Sequence, residues 1–180
     1  MRKAVVIAAA AGALVLAPAA FGHAIVSPPV AKAKVLQQFT LSVPTEKERL
    51  TTTQIELTVP AGFAIDSFEP SPGWKRTAHG STITWSGGRV PTDEDAVFRF
   101  NASTSGARTY VFDVRQTYSD GSVVEWSGPE SSDAPAPSIM AVSSFGGGTS
   151  TLAIVAIVLA GVALVLSLAS LLARSGRPLT

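Results

Sequence analysis

From Val35 to Arg115, run after run of this chain alternates apolar with polar residues. Val35-Leu-Gln-Gln-Phe-Thr-Leu-Ser-Val43, Gln54-Ile-Glu-Leu-Thr-Val59, Ser81-Thr-Ile-Thr-Trp85, Ala96-Val-Phe-Arg-Phe100 and Thr109-Tyr-Val-Phe-Asp-Val-Arg115 share this period of two. Successive side chains of an extended chain point to opposite faces, so such runs form strands with one dry face. Pro44, Pro60-Ala-Gly62, Pro70-Ser-Pro-Gly73 and Gly87-Gly88 punctuate the runs, which predicts short strands at the spacing of an antiparallel sandwich. Asp120-Gly121 stands between two strand patterns and predicts a tight hairpin, with Thr109 to Tyr118 pairing to Ser122 to Trp126. The expected fold is all-β, an antiparallel β-sandwich of the immunoglobulin or cupredoxin type.

Apolar segments lie at both ends. Arg2 and Lys3 precede an uncharged stretch from Ala4 to Leu16, and Pro18 breaks it, the pattern of a secretory signal peptide over residues 1–22. Signal peptidase requires small side chains at the third and first positions before its cut. Ala20-Phe21-Gly22 meets that rule and would leave His23 first; Ala17-Pro18-Ala19 and Gly22-His23-Ala24 meet it too. Leu152 to Ala173 carries no charge, and a helix of that length reaches roughly 33 Å, enough for a hydrocarbon core of about 30 Å. This is the expected transmembrane helix. Arg174 and Arg177 follow it, which puts the tail, 174–180, in the cytoplasm and the preceding domain outside.

The span from His23 to Ser150 suits one domain, expected to fold over 23–140, with a Gly/Ser-rich tether over 141–151. It holds ten basic against all 13 acidic residues, a formal charge of −3, which argues against nucleic acid as a partner. The chain has no cysteine, so packing rather than disulfides must hold the exported domain, and no thiolate awaits a soft metal.

A histidine released at position one has chemistry that an internal histidine lacks. Its α-amine and its own Nδ1 close a chelate ring on one metal ion. The amine deprotonates near about pH 8 and the imidazole near about 6.5, so few protons compete at neutral pH. Two nitrogens completed by a carboxylate or water favour Cu(II), while Ni(II) and Zn(II) accept the same donors. Met140 is the only methionine after cleavage, too little sulfur for a Cu(I) site.

Five segments together resemble the YcnI-like copper-binding proteins of bacteria: HAIVSPP from His23, FTLSVPTEKE from Phe39, TTTQIELTVPAG from Thr51, FEPSPGWK from Phe68 and YSDGSVVEWSGPE from Tyr118. The likeness spans nearly the whole chain. It implies a monohistidine brace, in which the amine and imidazole of His23 and the carboxylate of Glu46 hold copper, with Trp126 adjacent to the metal. It also implies a cut before His23. The function so implied is a membrane-anchored, extracytoplasmic Cu(II)-binding protein, not an enzyme, that stores, buffers or passes copper to another extracytoplasmic copper protein or a membrane copper transporter.

Each residue has a plainer role by composition. Glu46 and Glu48 are ordinary loop carboxylates, Trp126 is a core or edge tryptophan, Trp74 and Trp85 are packing residues, and His79 is a surface turn residue before Gly80. Two other functions stay open on the sequence. Lytic polysaccharide monooxygenases also begin with histidine, but their brace takes a second one, for which this chain offers only His79. A metal-free, membrane-anchored interaction module is the other, since sandwich folds host many tasks. The CopC-like copper carriers share the opening residues but lack the EW-SGP ending.

Overall fold

The computed structural model describes residues 22–146 and 150–175. The predicted signal segment before Gly22, the linker residues 147–149 and the tail from 176 lie outside the described residues. The alternating runs become strands, and their inward positions become the core. Twelve strands form among the described residues: β1 (Ile25–Ser27), β2 (Val30–Lys32), β3 (Gln37–Pro44), β4 (Thr52–Thr58), β5 (Phe63–Phe68), β6 (Lys75–His79), β7 (Thr82–Val90), β8 (Asp95–Thr104), β9 (Thr109–Val111), β10 (Asp113–Tyr118), β11 (Val123–Trp126) and β12 (Ser138–Val142). One sheet runs β1-β3-β8-β5, a second β11-β10-β4-β7-β6, and a small third β2-β12-β9. Antiparallel pairing dominates, with β2 and β12 the one parallel pair among the named strands.

Between the two main sheets the apolar faces interlock. Phe39, Leu41, Ile55, Leu57, Phe100 and Phe112 are fully buried. Phe63 meets Phe39 and Phe112 edge to face at 5.2 and 4.9 Å, and Trp85 stacks on Phe98 at 4.2 Å while Trp74 meets that ring edge-on. Trp74 and Trp85 are thus packing residues, as their sequence context suggested. Offset and edge-on contacts suit the ring quadrupole and add to the burial of apolar area.

Three local expectations are corrected. Gly87-Gly88 does not end a strand; β7 runs through it, and the ladder to β4 bulges there. A Cβ on Gly88 would stand 2.1 Å from Trp74, so this glycine makes room for the indole. The predicted hairpin forms only over β10 and β11, where Val114 pairs with Trp126. The chain breaks at Phe112, whose N–H goes to Pro137 O, and the β9 portion crosses to pair with β12. Last, the Pro- and Ser-rich stretch after Gly128 leads into β12, which runs two residues beyond Met140 and buries Ile139 and Ala141. His79 ends the exposed edge strand β6 beside the Gly80 turn.

Among the described residues of the C-terminal unit, Ser144–Thr180, there is one helix, α1 (Thr151–Ser175). Its segment Thr151–Ser170 has a mean hydropathy of 2.9 and is long and apolar enough to cross a membrane.

Phe100 is fully buried and touches the rings of Phe39, Phe63 and Phe68. Phe100→Ala should cost about 3–5 kcal/mol by cavity formation, measured as a fall in the urea midpoint at unchanged m-value.

Candidate metal centre

Strand β1 is the edge of its sheet and pairs antiparallel with β3, Ile25 opposite Ser42 and Ser27 opposite Thr40. Followed toward the N-terminus, this register brings His23 alongside Pro44, where β3 ends. Gly22 continues along the same path: a Cβ there would lie 3.0 Å from Pro44 Cβ and 3.6 Å from Glu46 Oε1. The residue just before His23 therefore lies against the Glu46 carboxylate, and His23 itself is exposed.

The segment carrying Glu46 is pinned on both sides. Thr45 N–H donates to Glu94 O at 3.0 Å, Asp93 N–H donates to Thr45 O at 3.1 Å, and Thr92 Oγ1 donates to Lys47 O at 2.9 Å. Glu46 is half-buried, whereas Glu48 is exposed in the following turn. Glu46 Oε1 is buried and has no hydrogen-bond partner. Burial pushes the carboxyl above the usual carboxylate range, while the Gly22 amide and the charge of His23 act in the opposite direction. The Gly22 amide thus favours the charged form electrostatically without closing a hydrogen bond on Oε1. An orphaned carboxylate oxygen is costly. It is an oxygen donor of the kind a divalent metal accepts, and the charge of the neighbouring His23 acts on it.

Trp126 is buried and belongs to the core. Its Nε1–H donates to Gln116 Oε1 at 3.0 Å, and Gln116 Nε2 donates to Pro44 O at 2.8 Å and to Thr52 Oγ1 at 2.7 Å. Thr52 Oγ1 in turn lies 2.7 Å from Thr45 Oγ1. Trp126 is therefore linked through one side chain to the end of β3, two residues before Glu46. Its indole nitrogen offers a donor and no lone pair, so it can wall a site but not ligate. Gln116, with no exposed surface, was missed by the sequence reading. A signal existed: it stands between Val114 and Tyr118 at the inward positions of β10.

Tyr118, also buried, carries the Lys47 ammonium over its ring at 4.7 Å, and Lys47 donates to Ser122 Oγ at 2.7 Å. The β10–β11 turn is thereby tied to the segment after Glu46. Among the described residues no group of three or more His, Asp or Glu side chains converges as a metal site. His79 sits on β6, the edge of its sheet opposite to Trp126 on β11, roughly 19 Å away at about 4.8 Å per strand.

The model of a family described as a domain of unknown function, DUF1775, matches residues 23–82 and 75–141. This chain belongs to that family. Within it, the copper-binding protein CutI of Bacillus subtilis (strain 168) is 32% identical over 183 residues, covering 88% of each protein. A crystal structure of an uncharacterized protein from Nocardia farcinica, described as revealing an immunoglobulin-like fold, superposes with a TM-score of 0.59 at 28% identity. It covers 67% of this chain and 98% of that one. The DUF1775 domain here is accordingly an immunoglobulin-like sandwich, and copper is the metal its curated relative binds.

Because burial raises the Glu46 pKa, this group favours the folded state while protonated. That contribution is complete below the ordinary carboxylate range and is lost as pH rises through the raised value. In metal-free protein, Glu46→Gln should therefore unfold at higher urea than the parent near pH 7, with the gap closing below about pH 4. A variant less stable than the parent at neutral pH would show that the carboxylate is not held at a cost.

Proposed function

We propose that this protein is an extracytoplasmic Cu(II) carrier, tethered by α1, whose metal is cargo held by the α-amine and Nδ1 of His23 and the carboxylate of Glu46. The observation that carries this reading is the buried, unpartnered Glu46 Oε1 beside Gly22, the residue just before His23. The family match that begins at residue 23 supports a cut at the Gly22–His23 bond, and the copper-binding relative supports the metal. In the uncut chain Gly22 lies against Glu46. Hydrolysis of that one peptide bond removes it and leaves a free amine on the same side of the carboxylate.

Two nitrogens from one exposed residue and one oxygen from a pinned loop make a half-open site. Such a site suits a carrier, because a competing ligand can reach the ion without the fold opening. From His23 a groove of about 610 Å³ runs past Ile25, Val111 and Pro129, leaving that side open to a protein that delivers or accepts copper. A copper oxidase of the polysaccharide monooxygenase type needs a second imidazole, and His79 stands at the far sheet edge. We therefore read the protein as a store, buffer or transfer protein, not an enzyme. The helix anchors it, with Arg174 on the cytoplasmic side and the sandwich outside.

Mass spectrometry of the processed protein should find His23 first, and titration should show one tight Cu(II) equivalent. His23→Ala, or one residue added ahead of His23, should abolish it. A mature chain starting at Ala20 or Ile25 would leave a metal-free module as the better reading, and undiminished binding in either variant would rule out the His23 chelate.

A further inference from the structure

Gln116 is the one fully buried side-chain amide among the described residues. Both ends of that amide are used. Its oxygen takes the Trp126 Nε1–H at 3.0 Å, and its nitrogen gives one hydrogen to Pro44 O at 2.8 Å and one to Thr52 Oγ1 at 2.7 Å. The three partners come from β11, the end of β3 and β4. A buried amide costs free energy unless it is satisfied, and here every donor and one acceptor lone pair has a partner. A leucine at an inward strand position would pack without that requirement. The amide therefore does something that apolar packing would not.

We infer that Gln116 is a positioning residue for the metal site, holding the Glu46 carboxylate and the Trp126 wall in one register. This inference rests on the ligand set proposed above. Pro44 lacks an N–H, and its carbonyl is the last of β3 before the chain turns toward Glu46. Gln116 fixes that carbonyl from the core side, as Thr52 fixes Thr45 by the hydroxyl contact. The turn at Thr92–Glu94 holds the same segment from the other side. Trp126 bonds to the same amide, so displacement of either end is felt at the other. Groups that orient ligands from behind in this way commonly change metal affinity about 10- to 100-fold when lost.

The test uses the processed full-length protein in detergent and Cu(II) alone as probe, with Gln116→Met, which keeps length but donates nothing, and Gln116→Asn, which is too short to span both partners. In a variant that still unfolds cooperatively, the Cu(II) Kd should rise about 10- to 100-fold. The electron paramagnetic spectrum should keep the nitrogen count of His23 yet shift toward that of Glu46→Gln. Adding the Gln116 change to Glu46→Gln should weaken binding by less than the two single penalties summed, since the carboxylate it positions is already gone. Binding as in the parent, or penalties that simply add, overturns the inference, as does loss of cooperative folding in both Gln116 variants, which would make the residue structural. Failure of the ligand set is distinguishable, because it appears as parent-like binding in Glu46→Gln by itself.

Discussion

The pairing of a three-residue edge strand with β3 is the constraint on which the rest depends. Ile25 to Ser27 would be too short to hold a place alone, but Ala24 and Val26 are buried in the sandwich, and their burial sets the register. A shift by one residue would turn those two side chains outward and Ile25 inward. The same register delivers His23 to the end of β3 and Gly22 to the Glu46 carboxylate. Strand register thus positions the segment entering β1 beside the loop that carries Glu46.

The second constraint is polar. With no cysteine, the domain relies on aromatic and aliphatic packing, and a polar group inside such a core must be fully satisfied to be tolerated. Gln116, Thr45 and Thr52 meet that condition as a chain of short hydrogen bonds. Glu46 does not, since one of its oxygens is buried and unmatched. The closed network and the unmatched Glu46 oxygen lie next to one another at the end of β3, while Thr104 Oγ1, the other unmatched buried side-chain oxygen among the described residues, lies at the end of β8. Functional sites commonly break local rules that the surrounding structure obeys.

Much of the architecture was legible in the alternation. Inward residues of the predicted runs, Phe39, Leu41, Ile55, Leu57, Trp85, Phe98 and Phe100, are the buried core. The short strands β1, β2 and β12 were not legible, because three to five residues carry too little periodicity and proline obscures what remains. Gly87-Gly88 misled for a related reason: glycine marks both a chain reversal and a place where a ring must fit against the backbone. The break at Phe112 was hidden because a strand that changes sheet keeps its alternation.

The sequence by itself determined the sandwich class, the apolar C-terminal helix and the family, since period, length and shared segments are properties of a linear string. It also nominated His23, Glu46 and Trp126, through resemblance rather than through spacing. Only the tertiary structure decided that Gly22, just before His23, lies against Glu46 while Glu48 is exposed. It alone revealed that Trp126 reaches that loop by way of Gln116. Residues 23, 46, 116 and 126 lie on four separate segments, and no local pattern encodes which sheet edge meets which loop. That choice is made by the packing of the two faces, which is a property of the whole chain.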